Sequence, residues 1–543
     1  MIRPSTSTPC SPLWSNRSLR SSKVSPNIMS QFEQFETDCY EALQTNPRVS
    51  ISIAQNAIAF ALSHNISPLR TVYVRLLYIS GHLEINDVSS PDLPRQFSSV
   101  FQIISSRLSV THPLFISYER SLALFYKLKK EYEKAICSYQ KLLSALLSSS
   151  SPDPVFLTSL YDDMGSCYLN HNPALYKEAA SCLSKAFEIR KKHLLLVDMD
   201  ACNSVLFLAF SLIKLECFSE AARCLNQITL YLESVVPLTF SLATLYFFRA
   251  QCDVALGDLT SALSLSIRSR DLYRNFLTES RDLSLIINYC ACCNLIGWVF
   301  LKNNPPKIRD AQQNFETVLS STKSLDQNIE LDTMKTEALL GIAGIHLING
   351  EFSKCLETCN TSQSFTSPSS YLFPFLLEQR ATAQYLSSKY DDCRLTCQLA
   401  LSGCISKKVK SRLYSLLGSS LQATGNVSEA LVQYQNALST FPQGTTDVLT
   451  ISSNMAACFA LKGDVVSAKD MLETIKIQRK EIYGEISREV AVTNRNLAVL
   501  ESYTNQKASE KQLKEAIKVF EKLKLAAEAS ETRGLLASVG RRH

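Results

Sequence analysis

From residue 32 onward, apolar side chains recur at the spacing of one helical face, and the breaks between such stretches are short. Phe35 to Leu43, Ser52 to Leu62, Arg70 to His82 and Phe97 to Leu108 are each amphipathic or apolar, with Pro47, Pro68, Pro91, Pro94 and Pro113 between them. Proline ends a helix near its own position, so residues 31–115 are expected to form two degenerate helical hairpins. A stricter pattern begins at residue 116. A small residue on one helix is followed twelve positions later by a small residue on the next, and four positions after that by a large apolar one. The clearest copy places Gly418 on the first helix, turns at Gly425-Asn426, continues through Ala430, Tyr434 and Ala437, and closes at Pro442.

The same frame fits Ala123, Tyr126, Ala135 and Tyr139, and also Gly165, Tyr168, Ala179 and Ala186 with a two-residue insertion at the turn. It fits Ala209, Ala221 and Leu225, then Ala250 and Ala262, then Gly297, Phe300, Ala311 and Phe315. It continues through Ala343, Cys355 and Cys359, through Ala381, Cys393, Cys397 and Ala400, and through Ala456, Phe459, Ala468 and Leu472. A looser last copy uses Ala498, Ala516 and Phe520. Two antiparallel helices meet closely where a Gly or Ala on each admits the other backbone, and the large side chain fills the adjacent gap. One such hairpin cannot bury its apolar faces alone, so the units are expected to stack.

These residues resemble the tetratricopeptide repeat family over residues 116–525. The second-helix markers, from Ala135 to Ala516, are 37 to 49 residues apart, longer than the family's usual period of about 34. In this the units are similar to the extended repeats of kinesin light chains. Ala186-Phe187-Glu188-Ile189-Arg190-Lys191-Lys192 carries that likeness, as does Ile477 to Gly484 leading to Asn494-Arg495-Asn496-Leu497-Ala498-Val499-Leu500. The sustained heptads of a coiled coil are missing, so the likeness is to the repeat type. It implies an all-α fold, a right-handed α-solenoid superhelix of about ten stacked hairpins. Residues 1–30 are expected as a disordered basic tail and 526–543 as a C-terminal tail, with the charged segment Lys507 to Ala529 as a capping or docking helix.

In that family ligands lie along the first helices, on residues three and two positions before the small marker and one after it. Projected here, these are Leu206, Phe207 and Phe210, then Phe247, Phe248 and Gln251, then Asn294, Leu295 and Trp298. The C-terminal units give Ser453, Asn454, Ala457, Arg495, Asn496 and Val499. The expectation is a protein-binding scaffold in which Phe207, Phe210, Phe247, Phe248 and Trp298 anchor an apolar partner segment, or else pack between repeats. Asn454, Arg495 and Asn496 would meet a peptide backbone. The Lys and Asn carboxylate clamp of cochaperones is not matched at these positions. A fixed subunit of a ubiquitin ligase, chromatin or ciliary transport assembly is the alternative.

Composition narrows the classes further. Hydrophobic residues make up 46% and charged residues 20%, with 15 Gly and 18 Pro, which suits many helices with short connections. The net charge is +6, and Arg3, Arg17, Arg20 and Lys23 stand in a segment without acids. The remainder is nearly neutral, so nucleic acid is not expected as a direct partner. That acid-poor segment is also compatible with mitochondrial import or with a start at Met29, while the cytoplasm, or the nucleus, is the expected location. The 18 cysteines lie mostly in apolar helical patterns and are expected to be reduced and buried. Cys355/Cys359 and Cys393/Cys397 could form a zinc regulator in principle, but their positions are those where the repeat wants small residues. No metal, cofactor or catalytic residue is expected, since no phosphate loop, nucleophile elbow or metal motif is present. No apolar run reaches the ~18 residues of a membrane span, and the chain is expected to be soluble without membrane insertion.

Overall fold

The computed structural model describes residues 24–540 apart from 149–152, 194, 196–197, 236–238, 281, 327, 405, 441–445 and 503–504. Among the described residues every regular element is helical. In chain order they begin α1 (Pro26–Thr45), α2 (Pro47–Ser63), α3 (Pro68–Glu84), α4 (Asp92–Ser105), α5 (Pro113–Leu128) and α6 (Tyr132–Leu147). There follow α7 (Pro154–Asn170), α8 (Tyr176–Lys192), α9 (Met199–Lys214), α10 (Phe218–Ser234), α11 (Phe240–Leu256) and α12 (Leu259–Glu279). The next six are α13 (Leu283–Lys302), α14 (Ile308–Thr322), α15 (Ile329–Ile348), α16 (Phe352–Gln363), α17 (Phe373–Leu386) and α18 (Tyr390–Gly403). The last are α19 (Lys407–Ala423), α20 (Val427–Thr440), α21 (Thr446–Leu461), α22 (Val465–Tyr483), α23 (Arg488–Glu501), α24 (Gln506–Lys522) and α25 (Ala526–Gly540). They gather into two compact units, Met1–Asn275 and Phe276–His543, divided inside α12.

Within each unit consecutive helices pack as antiparallel hairpins, and each hairpin packs on the next, which makes the fold an α-solenoid of tetratricopeptide type. The corner inside a hairpin is a repeated device. One residue takes the left-handed conformation, among them Lys130, Glu216, Ser388 and Gly425. The amide after it reaches back five residues, as in Glu131 to the Tyr126 carbonyl (2.9 Å), Cys217 to Leu212 (2.8 Å), Lys389 to Gln384 (2.8 Å) and Asn426 to Leu421 (2.9 Å). This closes the last turn and sends the chain back along the first helix. The connections between hairpins are instead capped by side chains: Asp153, Asp198, Thr239, Asp282, Asn328, Ser406 and Ser487 each accept an amide of the helix they precede.

The close approach anticipated from the small residues is made by a ring or a branched chain lying against glycine. A Cβ on Gly418 would meet the Tyr434 ring at 2.8 Å, and one on Gly165 would meet Leu183 at 2.6 Å. Phe315 is held from two sides. A Cβ on Gly297 of its own hairpin would stand 2.6 Å from the ring, and one on Gly341 of the following hairpin 2.2 Å. The second-helix markers Ala135, Ala179, Ala221, Ala262, Ala311, Cys355, Cys393, Ala430, Ala468 and Ala516 have no exposed surface.

Three sequence expectations are corrected. Residues 26–30, assigned to the N-terminal tail, open α1, whose first turn is capped by Ser25; Met29 sits inside that turn. Residues 1–23, and with them the import reading, lie outside the described residues. Residues 526–540, assigned to the C-terminal tail, form α25. Its Ala529 packs with Ala516 and Phe520, and its Val539 with Ala498 and Leu513, contacts that a weakly periodic Ala-rich sequence does not announce. Third, α13 is long and apolar enough to cross a membrane, with 39% of its apolar window buried. Tyr289 and Asn294 hide this from a search for unbroken runs. In the fold its Cys290 and Cys293 pack with Ala311, Phe315 and Ala338 of α14 and α15.

Candidate functional site

First helices approach one another across successive hairpins: α1 with α3, α3 with α5, α7 with α9 and α9 with α11 in one unit, and α13, α15, α17, α19 and α21 in sequence in the other. Among the described residues the second helices show no comparable approach. The first helices therefore line the inner side of each stack, and their side chains decide what that side offers.

The position three before the marker is largely spent on joining hairpins. Asn294 of α13 donates its Nδ2 to the Met334 carbonyl (3.0 Å) and to Glu337 Oε2 (3.3 Å) of α15. Glu378 of α17 accepts from Arg412 Nη2 of α19 (2.8 Å). Arg495 of α23 donates to Glu531 Oε2 of α25 (2.8 Å), so this predicted peptide-contacting residue is engaged by the terminal helix. Leu206 and Ser453 are buried.

The positions two before and one after the marker are half-buried and more open. Phe207, Phe210 and Phe248 stand at these positions on adjacent helices α9 and α11, with Phe247 beside them at the position three before Ala250 and likewise half-buried. Their rings form a ladder: Tyr176 meets Phe210 edge-on at 6.0 Å, Phe210 meets Phe248 at 5.9 Å, and Phe248 meets Phe247 at 6.1 Å. Lys214 Nζ lies 5.4 Å from the Phe210 centroid, a cation over a ring face. Phe207 and Phe248 rest their inner edges on the core of Ala209, Leu225 and Leu245. In the second unit Trp298 packs edge-on against Phe315 at 5.6 Å and also touches the cluster around Leu340 and Cys355, so much of its ring belongs to the fold. Asn454 is hydrogen-bonded to the Tyr434 phenol, whose pKa burial pushes above its ordinary value. The Asn496 side chain has no partner among the described residues. Of the eight residues expected to line the inner face, Arg495, Trp298 and Asn454 are bound up in the chain's own contacts. The four phenylalanines and Asn496 remain accessible in part.

Sequence reasoning missed a joint on the second helices. The residue eleven after each marker is buried in every described case from α6 to α18, and again in α22: Leu146, Arg190, Leu232, Tyr273, Thr322, Thr366, Cys404 and Arg479; at Arg190 and Arg479 it ties its hairpin to the next. Arg190 Nη1 donates to Ser204 Oγ (2.8 Å) and Asp162 Oδ1 (3.2 Å), and its Nη2 to Asp162 Oδ2. Burial raises the Asp162 pKa against the opposing pull of Arg190. Arg479 Nη1 donates to Thr493 Oγ1 (2.7 Å) and the Glu489 carbonyl (3.2 Å), and its Nη2 to the Leu449 carbonyl (3.5 Å). The available signal was an arginine eleven residues past a marker alanine with a Ser or Thr fourteen residues further on, as at Arg190 with Ser204 and Arg479 with Thr493.

The thiols are arranged as packing groups. Burial pushes Cys167, Cys202 and Cys290 up to about 12. Cys359 and Cys397 are held above the ordinary thiol range by hydrogen bonding with Cys355 and Cys393 one turn earlier, and further by burial. Among the described residues no three His, Cys, Asp or Glu side chains converge as a metal would require.

No protein-family model matches the chain, and no curated protein sequence matches it. Solved structures of similar fold include the apo form of RapI, 11% identical, covering 74% of this chain and 99% of its own, with a TM-score of 0.47. Another is a tetratricopeptide repeat protein from Parabacteroides merdae, 14% identical over 56% of this chain and 99% of that one, TM-score 0.39. A third is a putative kinesin light chain from Podosopora anserina with TPR-like repeats, 17% identical over 40% of this chain and 100% of that one, TM-score 0.33. At these values the likeness lies in the repeat architecture, and nothing about binding is drawn from it.

Proposed function

We propose that the chain is a non-catalytic scaffold that holds a segment of a partner protein against the inner side of its first helices. The observation that supports this is the ring ladder of Phe210, Phe248 and Phe247 with Phe207 beside it. These large apolar groups face the inner side half-covered, although neighbouring positions are fully packed. Aromatic side chains with one face on a rigid core and one open are the usual anchors of protein interfaces, because little side-chain entropy remains to be lost on binding. Asn496, on α23 of the second unit, offers an amide to a peptide backbone.

Affinity capture of the tagged chain from its own cells tests the reading, comparing wild type with Phe207→Ser/Phe248→Ser and with Asn454→Ala/Asn496→Ala. The Phe pair should lose a defined set of partners while circular dichroism is unchanged. Of the Asn pair, the loss should follow Asn496 alone, because Asn454 already serves Tyr434. An unchanged partner set in both variants would move the binding surface off the inner side.

A further inference from the structure

The second helices of two consecutive hairpins depart from the repeat frame in the same way. In α16 and α18 the marker and the residue four positions on are both cysteine, Cys355 with Cys359 and Cys393 with Cys397. In the other hairpins alanine holds the first place, and the second mostly carries a large buried side chain such as Tyr139, Phe315 or Tyr434. Cys359 is 1% exposed and the other three thiols 0%. Each pair lies one helical turn apart within a single apolar cluster, its two thiols hydrogen-bonded to each other. Side chains four apart on a helix have Cβ atoms about 5–6 Å apart, whereas a disulfide needs about 3.5–4.5 Å. The pairs are therefore too wide to close on themselves while the helix stands. A single atom between the sulfurs spans that gap, since two sulfur–metal bonds of roughly 2.3 Å each set the sulfurs about 4.5 Å apart. Two thiols without a third ligand cannot hold zinc, which takes four. They suit a soft monovalent ion, which thiolates select and two sulfurs complete.

We infer that Cys355 with Cys359, and Cys393 with Cys397, are two buried sites for a soft monovalent cation of the copper(I) class. They stand on second helices and do not depend on the scaffold reading. On binding, Cys355 or Cys393 releases its proton to solvent and its sulfur bonds the ion as a thiolate. Cys359 or Cys397 stays protonated and donates a lone pair. One proton leaves for each monovalent ion that enters, no electron is transferred, and the buried charge stays at zero. The hydrogen bond within each pair already favours that division, holding Cys355 and Cys393 below the ordinary thiol value and Cys359 and Cys397 above it. The two sites differ on one side. Ser420 Oγ of α19 is placed to donate to Cys393 Sγ at 3.1 Å, and a donated hydrogen steadies a thiolate. The matching residue of α17, also two past its marker, is Ala383, which packs on the α16 pair and has no hydrogen to give. The α18 site is the tighter of the two.

The test uses the full chain with copper(I), and with silver(I) as a probe that does not change oxidation state. Excess glutathione is present to strip ions from single thiols. After desalting, metal analysis should find one ion retained per pair. Cys355→Ala/Cys393→Ala restores the alanine of the other hairpins and should retain about tenfold less, because a lone thiol lacks the advantage of a second ligand held beside it. Cys167→Ala/Cys202→Ala removes as many buried thiols from isolated positions and should retain the full amount. Thiol alkylation in mild denaturant, mapped by mass spectrometry, reads the two sites separately and needs no variant. The ion should shield Cys355 with Cys359 and Cys393 with Cys397. Ser420→Ala should move the shielding of the α18 pair alone to higher ion concentration. Equal retention by wild type and Cys355→Ala/Cys393→Ala, equal loss in both double variants, or shielding spread evenly over all the thiols would each overturn the sites.

Discussion

The α8–α9 joint in the first unit and the α22–α23 joint in the second use the same residue for the same purpose in different electrical settings. Arg190 and Arg479 each stand eleven residues past a marker alanine, are each 6% exposed, and each donate to a hydroxyl fourteen residues ahead. Arg190 meets the carboxylate of Asp162. Arg479 meets two backbone carbonyls and, among the described residues, no carboxylate within ion-pair distance. A buried guanidinium can therefore be kept either by an opposite charge or by a cage of oxygen dipoles. The two solutions differ in what is left behind when the arginine is removed.

The largest effect should come from removing each arginine in turn. Arg190→Met leaves Asp162 desolvated without its counter-ion and should cost about 3 kcal/mol or more. Arg479→Met leaves helix carbonyls that already accept in their own helices, and should cost about 1 kcal/mol. Hydrogen exchange followed by mass spectrometry over α7–α9 and α21–α23 would read each joint separately, since a repeat chain need not unfold as one. Equal losses at the two joints would break the comparison.

Asp162→Asn converts the first joint toward the second and should lie between those values, at about 1–2 kcal/mol. Its pH dependence has a definite sign. A folded-state carboxyl whose pKa is raised holds its proton more tightly than the unfolded chain does, so stability rises as pH falls through that value. Local protection of α7–α9 in wild type should gain on Asp162→Asn as the medium is acidified, and the α22–α23 joint should show no difference between the two proteins. The smallest effect is expected for the exchange Ser204→Thr with Thr493→Ser. Each keeps the hydroxyl that the arginine uses, and the change should stay within about 0.5 kcal/mol.

These joints also mark where the sequence stops being informative. The hairpin frame was legible because Gly165, Gly297, Gly418 and the marker alanines answer to one steric demand that recurs in every unit. The position eleven residues on is just as buried, but Leu, Arg, Tyr, Thr and Cys all satisfy it, so no single residue type announces it. Which of the expected inner-face side chains are free was not legible. Arg495 is claimed by Glu531 of α25, a helix that its sequence conceals, and Asn454 is claimed by Tyr434.

Phe315 carries one more consequence. Its ring rests on Gly297 behind and Gly341 ahead, so it belongs equally to two neighbouring hairpins. The chain therefore has no clean seam after α14. A fragment cut there would leave half of a phenyl ring bare to water, and a hairpin spliced in would have to present a glycine of its own at the place of Gly341. The repeats look interchangeable in outline, but this pair is keyed, and the order of the hairpins around it cannot be shuffled freely.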